Sequence, residues 1–199
     1  MCDCNNSFGW FQSHSSCWAD TILMTLLIPS LNKYYFTKML KKINLDLDDF
    51  YPCKQNITNC EKEYLIRKIW GKEFTINKPS ITHDRLLEVL KMINNKNEII
   101  NGFWSLETYT PKGNMFCIVT DRNKGLDEIK NYILLSVILA KKKHVVCNIK
   151  CDNNKWYYYD NERSKENKKL KLIKIKSTNN ILEFKKEALL YYFFYTRKL

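Results

Sequence analysis

The sequence predicts an α+β protein, with helices gathered in the first half and an antiparallel sheet in the second. Three observations carry this. Apolar residues recur with a period near 3.6 before about residue 100. β-branched and aromatic runs bounded by turn residues dominate after it. A hydrophobic content of 45% with 14% aromatics supplies enough apolar side chain for a packed core.

Residues 17–28 read as a buried helix, because Trp18, Ile22 and Leu26 recur at i, i+4 and i+8 with Leu23 and Leu27 beside them. Ser15 or Ser16 can cap its start, and Pro29 disfavours helix at Ile28. Helical patterns follow at about 33–43, 60–70 and 83–93. Residues 103–109 and 115–120 read as strands around the turn Pro111-Lys112-Gly113-Asn114. Residues 132–140 are apolar on both faces, as in a central covered strand, and periodicity alone leaves a helix open there. Residues 145–150 and 155–159 flank the turn signal Asp152-Asn153-Asn154, and 169–176 form another strand. A short helix near 182–186 and a last strand over 190–196 complete the chain. No repeat or Pro/Gly/Ser linker divides it, so residues 1–199 are expected as one domain, with a mainly helical lobe over 1–100 and a mainly β lobe over 101–199.

The net charge of +12 could mark a polyanion partner. The basic residues are spread along the chain, however, and lysine, asparagine and isoleucine are used heavily throughout, as in an AT-rich genome. Nucleic acid is therefore not the expected partner. The apolar runs at 132–140 and 188–195 are too short to span a bilayer, and no apolar signal segment follows Met1. Eight cysteines are too few for a disulfide scaffold, and the spacings Cys2/Cys4, Cys53/Cys60 and Cys147/Cys151 do not match zinc-ligand pairs. The expectation is a monomer without metal or cofactor and without membrane attachment. A reducing compartment is expected, either cytoplasm or nucleus, or a host cell's cytoplasm if the source is a virus.

Cys17 opens the first helix, where the dipole and free N–H groups favour a thiolate. Gln12 lies five residues earlier, so its side-chain amide and the Cys17 N–H could together face an oxyanion. Alone, such a cysteine is more often structural. A second signal comes from His144, which opens a strand, and Asp160, which ends the next one. If the hairpin turns about Asn153, residues 146 and 160 face each other. His144 and Asp160 then share a face as diagonal neighbours, about 7–8 Å apart at the backbone. Asp160 would orient the imidazole, and His144 would exchange a proton with Cys17. His14 is too close to Cys17 in sequence to serve, and His83 reads as a solvated helix start.

The stretches Phe8-Gly9-Trp10-Phe11-Gln12 and Cys17-Trp18-Ala19-Asp20-Thr21 resemble the cysteine box of the ubiquitin-specific proteases. Residues 132–160 resemble that family's histidine box, with Trp156 four residues before Asp160, and 188–197 resemble its closing aromatic strand. Josephin-type deubiquitinases are a second resemblance, sharing a glutamine five residues before the cysteine.

The resemblance implies a papain-like cysteine protease fold in a minimal form without zinc fingers. The implied activity is a thiol isopeptidase cleaving after the C-terminal glycine of ubiquitin or a ubiquitin-like protein. It casts Cys17 as nucleophile, His144 as general base and acid, Asp160 as orienting residue and Asn161 as a second polar position assisting the oxyanion. Gln12 stands where the family carries asparagine, and Lys143 where it carries glycine. Candidate substrate contacts are Trp18, Trp104 and Trp156 as channel walls, and Asp84 and Glu88 as partners for a substrate arginine. Taken singly, each of these five reads first as ordinary core or solvated surface. The alternatives are a papain-like protease for another protein substrate and a non-catalytic basic nucleic-acid-binding protein.

Overall fold

The computed structural model describes residues 17–45, 64, 66–69, 71, 91, 99–102, 110–142, 144–161, 171–172, 177–178, 181–184 and 188–199. Helix α1 (Cys17–Leu27) follows the expected periodicity, and every residue from Trp18 to Leu27 is buried. A helix apolar around most of its girth has to be covered on several sides. Helix α2 (Ser30–Lys41) begins just after Pro29, earlier than the expected 33. Its Ser30 N–H and hydroxyl both donate to the Asp152 carboxylate, so a side chain from the far half of the chain satisfies its first turn. Asn32 donates to the Thr25 carbonyl at 2.7 Å and accepts from the Thr196 hydroxyl, tying both helices to the last strand. Residues 66–69, from the third helical pattern, are helical, as is Lys91 from the fourth.

The strands, in chain order, are β1 (Ile99–Asn101), β2 (Met115–Thr120), β3 (Lys124–Leu126), β4 (Glu128–Ile129), β5 (Tyr132–Ala140), β6 (Val145–Lys150), β7 (Trp156–Tyr159), β8 (Lys171–Leu172), β9 (Ser177–Thr178), β10 (Ile181–Glu183) and β11 (Leu190–Arg197). Among the described residues the main sheet runs β1-β2-β11-β5-β6-β7-β8, with β4 beside β5. It is antiparallel apart from β1, which pairs parallel to β2. Strands β3, β10 and β9 form a second small sheet. Residues 103–109 of the expected first hairpin lie outside the described residues. The expected helix near 182–186 is corrected: residues 181–183 are β10, paired with both β3 and β9. Pairing on both sides overrides the local helical pattern.

Both faces of the main sheet are covered. Ile138, Val145, Cys147, Tyr157, Tyr159, Tyr192 and Phe194 join the core that holds α1 and α2. Phe116, Val137, Val146, Trp156, Tyr158, Phe184, Phe193 and Tyr195 form a second core on the other face. This explains why β5 and β11 read as continuous apolar runs. β5 could not keep one alternation throughout: a bulge opposite Phe194/Tyr195 skips Leu135, so Leu134 and Val137 face the same core.

The expectation was of reduced cysteines throughout; Cys17, Cys117 and Cys147 are free thiols. Cys151 departs from that expectation and is disulfide-bonded. No helix among the described residues is long and apolar enough to cross a membrane.

Candidate active site

α1 lies against β5 and β6 and brings its N-terminus to the end of the sheet where β6 begins. The Thr21 hydroxyl, one turn after Cys17, donates to the Val145 carbonyl at 3.3 Å. This fixes the half-buried Cys17 turn beside the strand that His144 opens. On the other side of His144, the Lys141 N–H donates to the His144 carbonyl at 2.8 Å and closes the β5–β6 connection.

The β6–β7 hairpin has the expected register. Cys147 pairs with Tyr159 and Lys150 with Trp156, which puts residues 146 and 160 next in the ladder. The turn is built from Asp152-Asn153-Asn154. Asn154 takes the left-handed conformation (φ 60°), and the Asn153 side chain accepts from the Lys155 N–H at 2.9 Å. His144 and Asp160 are thus diagonal across the hairpin, and the His144 Nε2 meets Asp160 Oδ1 at 2.9 Å. Their side chains are 12% and 7% exposed. Water screens such a pair weakly.

Three further residues hold this end of the sheet. The Tyr158 hydroxyl donates to Asp160 Oδ2 at 3.0 Å, so both carboxylate oxygens are engaged. Asn161 is buried and donates from Nδ2 to Asp20 Oδ2 at 2.6 Å, returning the chain after Asp160 to the first turn of α1. Asp20 is itself fully buried, in the turn where the helix dipole favours negative charge. Tyr159 lies amid these groups. Burial first, then the charges of Asp20, Cys147, Asp160 and Cys17, push its hydroxyl well above the usual phenol range. Tyr159 therefore stays protonated, and the groups that act on it mark Cys17, Asp20 and Asp160 as one neighbourhood.

Of the sequence candidates, the structure gathers Cys17, His144, Asp160 and Asn161 at this end of the sheet. Trp18 is in the core under α1, only 2% exposed. Trp156 is buried on the opposite face of the sheet, its ring edge-on to Phe184 at 5.5 Å. Neither tryptophan presents an open wall. Gln12, Trp104, Asp84 and Glu88 lie outside the described residues. Sequence reasoning missed Asp20, Thr21 and Tyr158. The period of two that pairs Tyr158 with Asp160 on one face was the available signal for the last.

No family model matches the chain, and no curated protein matches it. Solved structures do. One is the SAGA DUB module of Ubp8, Sgf11, Sus1 and Sgf73 bound to monoubiquitin. That match covers 98% of this chain and 70% of the other, at 11% identity and a TM-score of 0.59. The module bound to ubiquitin aldehyde matches over the same shares at 9% identity and a TM-score of 0.58. The Ubp8-Sgf11-Sgf73-Sus1 module matches over 98% and 68%, at 11% identity and a TM-score of 0.57. The α+β fold of this chain is therefore similar to that of a chain in a deubiquitinating module. At such identity the likeness speaks for the fold.

Proposed function

We propose that this chain is a papain-like, thiol-dependent ubiquitinyl hydrolase that cleaves after the C-terminal glycine of ubiquitin or a ubiquitin-like protein and works as a monomer. One observation carries the reading: the His144–Asp160 pair at 2.9 Å, held at the sheet end beside the start of α1. With Nε2 committed to Asp160, a proton taken from a thiol has to go to Nδ1. Cys17 gives that proton to His144 and attacks the carbonyl carbon of the terminal glycine. The Cys17 N–H and Gln12 stabilise the oxyanion, with Asn161 as a second polar neighbour. His144 returns the proton to the departing lysine amine, leaving a thioester. Water, deprotonated by His144, then hydrolyses the thioester and restores the thiol.

Ubiquitin carrying a C-terminal vinyl methyl ester tests this directly. One adduct should form on Cys17, read by intact mass and peptide mapping. Cys17→Ala should abolish it, and His144→Ala should slow it at least about a hundredfold, in line with the usual worth of a general base. A folded protein inert to ubiquitin and to every ubiquitin-like probe overturns the reading. The same His144–Asp160 pair would serve a papain-like protease for another protein substrate, which a peptide-library cleavage screen would reveal.

A further inference from the structure

The Asp160 carboxylate is engaged on both oxygens, and the proposed mechanism accounts for only one. Oδ1 meets His144 Nε2, whereas Oδ2 accepts from the Tyr158 hydroxyl at 3.0 Å. Tyr158 lies on β7 opposite Asn148, two residues before Asp160, so the pleat directs both side chains to one face. It is 7% exposed and packed in the core on the sheet face away from α1. Phenylalanine would fill that core position. The hydroxyl is the part that packing does not require, and it is spent on the carboxylate.

We propose that Tyr158 is a positioning residue that fixes the rotation of the Asp160 carboxylate and tempers the proton affinity of His144, an inference that rests on the hydrolase reading above. A carboxylate held at one oxygen can turn about its Cβ–Cγ bond, whereas one held at both presents Oδ1 to Nε2 in a single orientation. A donor on Oδ2 also draws negative charge from Oδ1. That weakens the stabilisation Asp160 gives to imidazolium, so the hydroxyl works against protonation of His144. Among the described residues, Tyr159 on β7 and Cys147 on β6 are in electrostatic reach of Asp160, and Cys17 and Asp20 on α1 are in reach of Tyr159. Tyr158→Phe leaves all four in place.

The test follows the His144 ring protons by NMR across pH in wild type and Tyr158→Phe, with His144→Gln to assign the signal among the three histidines. The His144 midpoint should rise by about 0.5–1 unit on loss of the hydroxyl. The acid limb of kcat/KM for a fluorogenic ubiquitin substrate should move up with it. At neutral pH kcat should fall about three- to tenfold, the size expected for a loosened orienting group, while KM stays within about twofold. A hydroxyl that serves packing or stability alone would move neither the midpoint nor the limb, and a folded Tyr158→Phe protein with both unchanged overturns the proposal. Should that variant fail to fold, Tyr158→Met keeps adaptable apolar bulk without the hydroxyl and is read in the same way. The titration needs no turnover. A wild type inert to ubiquitin probes therefore sinks the hydrolase reading, whereas a reactive wild type with an unshifted variant sinks this inference alone.

Discussion

Thr21 on α1 donates its hydroxyl to the backbone carbonyl of Val145 at 3.3 Å, across 124 positions of sequence. This bond ties the Cys17 turn to the strand that His144 opens. Thr21→Val keeps the shape and removes the donor, leaving a buried carbonyl with one partner fewer. The expected loss is about 1–2 kcal/mol, seen as a lower urea midpoint with an unchanged slope. Probe labelling of Cys17 should slow in the protein that remains folded. A variant with wild-type stability and wild-type labelling would show that packing alone sets the helix against the sheet.

Asn161 and Asp20 form a second tie across the same gap. Asn161→Leu removes a donor from a fully buried carboxylate and should cost about 1–3 kcal/mol in urea denaturation. Asp20→Ala made in the same background should cost less than it does alone, because the shared bond can be lost only once. A double-mutant cycle measures that coupling, and strict additivity would mean the two side chains do not depend on each other.

Stability should fall on the alkaline side. Burial pushes the thiols of Cys117 and Cys147 and the hydroxyls of Tyr159 and Tyr195 well above their ordinary ranges. The unfolded chain therefore releases these protons at lower pH than the folded one. The folded state binds more protons there, so unfolding free energy decreases with rising pH. The stabilisation is complete below the unfolded thiol value of about 8.5 and is lost progressively as pH rises toward the folded values. Denaturant midpoints from pH 7 upward should show this decline, flatter between about 8.5 and 10 in Cys117→Ala/Cys147→Ala. Iodoacetamide at pH 8 should modify half-buried Cys17 and spare Cys117 and Cys147 until the protein unfolds. Equal modification of all three in the folded protein would contradict their burial.

Much of this architecture was legible because local pattern and long-range pairing agree. α1, β2, β5, β6 and β11 fall where periodicity places them, within a residue or so at their ends, and the Asp152-Asn153-Asn154 turn sets the register that brings Asp160 to His144. Patterning failed where pairing decides. Residues 181–183 look helical in isolation, yet they are held between β3 and β9. β1 is three residues long and parallel, and nothing local announces it. The candidate residues Cys17, His144 and Asp160 drew notice because each stands at an element boundary, whereas Asn161 came from the family resemblance. Asp20 was hidden because an acidic residue in a first helical turn is ordinary. Trp18 and Trp156 were misleading as channel walls because large aromatics serve cores as readily as clefts.

Gly125 on β3 lies directly over the Phe193 ring. A Cβ built there would stand 2.4 Å from Cε1 and 2.5 Å from Cδ1. Phe193 is fully buried between Phe184 and Tyr191, with ring centroids 5.6 Å and 6.2 Å away, so it has little room to swing aside. Glycine in this strand is what allows the small sheet to approach the main one so closely. Gly125→Ala should therefore destabilise by about 1–3 kcal/mol through overpacking, although alanine ordinarily suits a strand better than glycine. Phe193→Leu in the same background removes the clashing ring atoms, so the double variant should be more stable than the sum of the two single losses predicts. Cys17 labelling in the folded fraction should stay at the wild-type rate, since the clash lies on the sheet face away from α1. A Gly125→Ala protein as stable as wild type would mean that the small sheet is not pressed onto Phe193 in solution.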